Sequence, residues 1–226
     1  MKLGEQIDLE THTKVRVVSD YLAEHPFDGL VEYIPAFNSV TVVYDPVQIY
    51  RIESKKTTTE HIPYPYNAVE NQLKHILESL NEGSVPEPRR VEIPVCYGDE
   101  FGPDLEHVAQ INGLSADEVI QIHTSGEYLV YMLGFAPGFP YLGGMDKRIS
   151  APRKETPRLL IPSGTVGIAG EQTGVYPIGT PGGWQLIGRT PLALFLPEKQ
   201  PPTLLEAGNL IRFYPISRKE YDQWRD

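Results

Sequence analysis

Cysteine is nearly missing from this chain of 226 residues: Cys96 stands alone. A single thiol excludes an internal disulfide and any cysteine-rich zinc site. Long apolar runs are missing too. No stretch approaches the roughly 18 residues of a membrane-spanning helix, and the first thirty residues hold no basic segment followed by an apolar one. That reading places the protein in the cytoplasm, away from membranes. Basic charge is in deficit, with 20 Lys+Arg against 30 Asp+Glu and a formal charge of -10. A surface this acidic repels phosphate backbones and anionic lipid, so no nucleic-acid partner is expected.

Familiar catalytic signatures are absent as well. There is no G-x-x-x-x-G-K-[ST], hence no phosphate-cradling P-loop. GTVGIAG places glycine at every third position, unlike the dinucleotide fingerprint. Ser163 in IPSGT lacks the glycine two residues earlier that a nucleophile elbow requires. The six histidines are scattered without a metal pair, so no metal site is expected. His12 and His75 fall on helix faces read as solvated. His123, just ahead of a strand, is kept as a candidate because imidazole titrates near neutrality. Cys96, mid-strand among apolar residues, reads as a buried, inert thiol.

Glycine and proline are plentiful, at 20 and 21. Between Gly134 and Thr190 there are 12 glycines and 7 prolines. A different break comes at GSVPEPRR, Gly83–Arg90, where two prolines interrupt a helical pattern. The chain length suits two domains, and the boundary is placed there: a small α/β domain over 1–85 and a β-rich domain over 88–226.

In the first domain Val15, Val18 and Leu22 mark an amphipathic helix over Glu10–Glu24. Val31–Ile34 and Val40–Tyr44 flank a turn cluster and predict a hairpin. Val69, Leu73, Ile76, Leu77 and Leu80 predict a second helix, stopped at Gly83. Two strands are few for two helices, so a further strand is expected near Lys2–Gly4 or from elsewhere. The second domain opens with the strand VEIPVCYG and helices at Pro103–Ile111 and Ala116–Thr124, the latter started by a Ser115–Glu118 capping box. Seven short apolar runs follow: EYLVYMLGF, LLIP, TVGIA, GVYPIG, WQLIGRT, LALFLP and NLIRFYPI. Their spacing predicts a barrel or sandwich. Ser217–Trp224 closes the chain as a short helix.

Two loops carry both aromatics and glycines. GFAPGFPYLGG, Gly134–Gly144, contributes Phe135, Pro137, Gly138, Phe139 and Tyr141. The stretch beyond Gln172 contributes Tyr176, Gly182, Gly183, Trp184 and Arg189. Glycine allows close backbone approach and proline fixes turns. The aromatics serve either as pocket walls or as core filling. Between the loops lies DKRISAPRKETPR. Lys147, Arg148 and Lys154 read as solvated, whereas Arg153 and Arg158, each beside a proline, are candidate anion donors. The prediction is that the three segments converge on one concave face as a substrate pocket. No complete catalytic set is identified.

EIPVCYGDEFGPDLE, IHTSGEYLVYMLGFAPGFPYLGGM, APRKETPRLLIPSGTVGIAGEQTGVYPIGTPGGWQLIGRTPL and PPTLLEAGNLIRF resemble the family of the B subunit of bacterial 5-oxoprolinase. That family is also named for its sporulation-kinase inhibitor member and for allophanate hydrolase subunit 1. The resemblance covers nearly all of Arg90–Phe213 and continues more weakly through FDGLVEYIPAFNSVTVVYD. It implies an α+β protein, a small α/β domain followed by a cyclophilin-like β-barrel. Members usually open with a strand carrying Gly-Asp-Ser/Ala about twenty residues ahead of GEQID, so the first domain is expected to lack its first strand. The implied activity is ATP-dependent opening of 5-oxoproline to glutamate. ATP is implied by the resemblance alone. The implied partners are the C and A subunits of 5-oxoprolinase, with the site shared and this chain inactive alone. The alternative implied by the same family is an inhibitor that docks on a sensor histidine kinase.

Overall fold

Asp8 starts the first helix, its carboxylate accepting from the Thr11 N–H at 2.7 Å. The helix, α1, runs Leu9–Glu24 and buries Val15, Val18 and Leu22 on one face. In this computed structural model residues 1–6, 8–56, 62–80 and 87–225 are described. The chain divides into two compact units, Met1–Glu87 and Pro88–Asp226. Residues 83–86 of the expected linker, and the expected helix stop at Gly83, lie outside the described residues.

In the first unit, strands β1 (Leu30–Pro35) and β2 (Val40–Tyr44) form the antiparallel hairpin. Helix α2 (Pro46–Lys56) is not foreshadowed by the sequence pattern. The Asp45 carboxylate accepts from Val47 and Gln48 N–H, and α2 buries Ile49 alone, too little apolar periodicity to mark a helix. Helix α3 (Pro65–Ser79) buries Val69, Leu73 and Ile76 as expected, but Leu77 is exposed. The strand expected near Lys2 is reduced to one bridge, Lys2 to Ser39. His12, expected to be solvated, is instead buried at 1% exposure on the core side of α1, three residues before Val15 and so on its face. The side chain of His75 is exposed, as expected.

The second unit opens with β3 (Arg90–Tyr97), α4 (Leu105–Asn112) and α5 (Ala116–Ser125). The Ser115–Glu118 capping box forms. Then come β4 (Tyr128–Leu133), β5 (Pro140–Gly143), a 3-10 turn at Lys147–Ile149, β6 (Arg158–Ile161), β7 (Thr165–Ala169), β8 (Gln172–Val175), β9 (Thr180–Gly182), β10 (Gln185–Arg189), β11 (Leu210–Pro215) and α6 (Arg218–Gln223). Seven strands join in the order β5-β4-β11-β3-β10-β7-β8, with β11 and β3 parallel and the other pairs antiparallel. The end strands β5 and β8 approach one another, so the sheet curls almost into a closed barrel. The α+β architecture with a β-barrel is therefore as expected. Inward-facing Ile93, Val95, Val130, Val166, Ile168, Ile187, Ile211 and Phe213 fill it.

Two strand expectations fail. LALFLP is no strand: prolines flank it, Leu194 is buried in the barrel core, and its sheet pairing is the single Phe195–Thr203 bridge. GVYPIG is a strand only as far as Val175, after which the chain turns into β9. Strands β6 and β9 form a separate two-stranded ribbon. Adjacent residues of a strand point to opposite faces, yet Leu159 is 91% and Leu160 67% exposed. Both faces of the ribbon are bare there.

Candidate functional site

The two glycine loops meet, but in a buried cluster. GFAPGFPYLGG is the β4–β5 hairpin, closed by the Gly134 N–H on Phe139 O at 3.1 Å. It requires left-handed backbone at Gly138 (φ 79°) and, without glycine's freedom, at Phe135 (φ 63°). Phe139, Tyr176 and Trp184 are buried and pack edge-to-face, with ring centroids 5.5–6.2 Å apart. Tyr141 adds an edge on Phe139 and is half-buried, whereas Phe135 and Pro137 are exposed. The rings expected as pocket walls thus serve as a small core. Gly182 is needed beside them, because a Cβ there would overlap the Tyr176 hydroxyl. Burial pushes that hydroxyl up to about 12, with Arg153 and Arg158 opposing the shift.

Polar chemistry gathers around Asp104, at the N-cap of α4. Its carboxylate is buried and accepts from Arg158 Nη2 at 2.8 Å and from the Leu186 N–H at 2.7 Å. Lys154 Nζ stands 3.5 Å from Oδ1. Burial alone would raise this carboxyl; the bonds from Arg158 and Leu186 and the charge of Lys154 outweigh it and hold the group below the usual carboxylate range. Two expectations change. Arg158, expected as a free anion donor, is engaged by Asp104. Lys154, expected to be solvated, is drawn in by the same carboxylate. Lys147 and Arg148 are exposed and paired with Glu171 and Asp146, in line with their reading.

Beside this hub is a cleft of about 510 Å³, lined by Pro152–Thr156, His107 and Gln185. Its volume falls in the range of small-molecule sites. Arg153 is exposed there and has no hydrogen-bond or ion-pair partner among the described residues. Gln185 begins β10 and is 3% exposed. Its Nε2 donates to Pro152 O at 2.8 Å, which fixes the amide orientation. Its Oε1 is the buried side-chain polar atom left without a partner among the described residues. Such an acceptor costs roughly 1–3 kcal/mol in a folded chain. Neither Gln185 nor Asp104 is anticipated from sequence. Gly183 lies along this edge, its carbonyl accepting from the Lys154 N–H at 2.7 Å.

The remaining candidates are elsewhere. Arg189, at the far end of β10, donates to Ser163 O and lies over the Phe101 ring. Gln172 starts β8, half-buried, opposite Ala169. His123 is fully buried in the barrel. Its Nδ1 pairs with Tyr97 Oη at 2.8 Å and its Nε2 with Thr173 Oγ1 at 2.9 Å, while the ring stacks on Phe213. Thr173 donates to Gly167 O, so its oxygen accepts from Nε2–H, and Nδ1 accepts from the Tyr97 hydroxyl, the pattern of a neutral imidazole. Burial lowers its pKa to about 3. Cys96 is buried and its thiol raised by burial, as an inert thiol should be. No three His, Cys, Asp or Glu side chains among the described residues gather where they could hold a metal ion.

The chain matches the family described as carboxyltransferase domain, subdomain C and D, over residues 1–205. It is 55% identical to the B subunit of 5-oxoprolinase from Bacillus subtilis (strain 168), covering 100% of this chain and 92% of that protein. The protein of the same name from Escherichia coli O157:H7 is 41% identical, over 95% of this chain and 90% of its own length. Among solved structures, TTHA0988 superposes with a TM-score of 0.78 at 33% identity over 96% of this chain, which spans 39% of that longer chain.

Proposed function

The chain belongs to the 5-oxoprolinase B-subunit family of carboxyltransferase-type C and D subdomains, and from that premise we propose that it is part of an ATP-dependent 5-oxoprolinase, converting 5-oxoproline to glutamate only together with its partner subunits. The observation that carries this is identity of 55% and 41%, over almost the whole chain, to two proteins named as that subunit. These relatives favour the enzyme subunit over the kinase-inhibitor reading.

The residues of this chain suit binding and orientation. Arg153 offers an unpaired guanidinium for a carboxylate, and Asp104 holds Lys154 and Arg158 in place beside it. The chain has no P-loop, and ATP enters the proposal through the assembled complex. The β6–β9 ribbon supports a multi-subunit reading, because a two-stranded ribbon is marginal alone and Leu159 and Leu160 are bare on both its faces. A partner clasping the ribbon would cover them. No helix among the described residues is long and apolar enough to cross a membrane; a cytoplasmic location is part of the proposal.

The test is co-expression with candidate C and A subunits and measurement of ADP release that depends on 5-oxoproline. Activity should require this chain, and the purified chain alone should be silent. Partners that are equally active without it would overturn the reading.

A further inference from the structure

Resting on that reading, we propose that a partner subunit lays an extended segment along the open edge of β6 as an added strand, apolar at its centre and acidic at both ends. It meets the backbone and bare side chains of Leu159 and Leu160, and its carboxylates meet the cations that flank them.

Three observations meet at this edge. First, β6 is only half paired. It forms a two-stranded sheet with β9, so its outer side faces no strand among the described residues. On its inner side Arg158 is opposite Gly182 and Ile161 opposite Thr180, which sets Leu159 and Leu160 together against Pro181. Proline has no N–H to give, so the ladder is broken at the two leucines. Their backbones bond to no residue outside the ribbon among the described residues. Proteins blunt open edges with proline or charge; β9 does so at Pro181, whereas Leu159, Leu160 and Ile161 carry neither. Second, the surrounding surface is apolar. Leu159 and Leu160 are 91% and 67% exposed. Leu160 lies against Gly179, Pro177 of the same loop lies against Gly138, and Phe135 in that hairpin is 65% exposed. Between Arg158 and Arg189 the one charged residue is Glu171, which pairs with Lys147. Bare apolar surface of this kind suits a protein partner.

Third, charge selects the occupant. At the start of β6 the cations Arg158 and Lys154 share the single carboxylate of Asp104, while Arg153 and Glu155 offset each other in the stretch before the strand. Past its far end Arg189 donates to Ser163 O at 2.8 Å and forms no ion pair among the described residues. The edge is thus apolar with positive charge at each end. A second copy of this chain does not fit it. Two β6 edges joined antiparallel set the Arg158 end of one against the Arg189 end of the other, and joined parallel they set like on like. A segment with carboxylates at both ends is complementary instead, and opposite charges fix its register. Strand addition lets main-chain hydrogen bonds supply the affinity.

The chain is assembled with its C and A partner subunits, and hydrogen exchange of the β6 amides is compared with that of the free chain. Assembly should slow exchange across Leu159–Ile161 roughly tenfold or more. Leu159→Lys and Leu160→Lys should each weaken assembly roughly tenfold. The Tm of the free chain should not move, because both side chains already stand in water. Arg189→Glu should weaken assembly more than Arg189→Ala does. Unchanged exchange at these amides, assembly indifferent to both lysines, or equal effects of the two Arg189 variants overturns the proposal. A free chain that self-associates until either lysine is introduced also overturns it and gives the edge to a second copy. Failure of the functional reading looks different: β6 is protected on assembly and the lysines block it, yet the complex does not turn over 5-oxoproline. A complex that never forms overturns both.

Discussion

The same barrel holds two buried polar clusters, and they differ in one respect. Around His123 every side-chain polar atom is satisfied: Tyr97, both ring nitrogens and Thr173 form one chain ending on Gly167 O. Around Asp104 the carboxylate is satisfied by Arg158, Lys154 and the Leu186 N–H, but the neighbouring Gln185 keeps one oxygen without a partner and Arg153 stays unpaired at a cleft, among the described residues. A closed cluster needs nothing from outside and holds the barrel together. The cluster around Asp104 instead leaves one acceptor and one cation without a partner among the described residues.

That contrast can be broken by mutation, and the largest effect is expected at Asp104. Asp104→Ala leaves Arg158 and the Leu186 N–H without their acceptor, and a half-broken buried pair typically costs about 3 kcal/mol or more. Denaturant unfolding should show that loss; a change under about 1 kcal/mol would mean that water replaces the carboxylate freely and that the hub is no rigid frame.

The next effect belongs to the closed cluster. The His123 pKa of about 3 lies below the ordinary 6.5. The unfolded chain therefore takes up a proton that the folded chain refuses. The stabilisation is fully present above about pH 6.5 and declines by up to about 1.4 kcal/mol per unit as pH falls toward 3. His123→Gln should flatten that part of the stability profile. An unchanged slope would show that His123 is accessible to protons and that the cluster is open.

Arg189→Ala removes the bond to Ser163 O and the stacking over Phe101, both at a half-exposed site. Thermal unfolding should register less than about 1 kcal/mol. A tenfold loss of ligand binding in this variant would return Arg189 to the site.

Local signals in the sequence are reliable where they are strong. The Val15–Val18–Leu22 stripe, the Ser115 capping box and the paired apolar runs around residues 36–39 all become the expected elements. Helix α2 escapes because it buries only Ile49, and β5 and β9 because strands of three or four residues rich in glycine and proline carry no periodicity. The candidate site is legible in half. Arg153 is picked out together with Arg158 by a place beside a proline, and only the structure separates the two, since Arg158 is engaged by Asp104. Gln185 is invisible, since its importance comes from Pro152, 33 residues away. Asp104 likewise pairs with Arg158 across 54 residues. The aromatic loops converge as their composition suggests, but rings that meet at the end of a barrel exclude water and become core.

The most direct test sets one residue of each cluster side by side in the assembled enzyme. Arg153→Gln should raise KM for 5-oxoproline roughly tenfold with Tm unchanged. His123→Gln should lower Tm and leave KM where it was. A KM that ignores Arg153 and shifts with His123 would contradict the account and move the ligand from the cleft to the barrel interior.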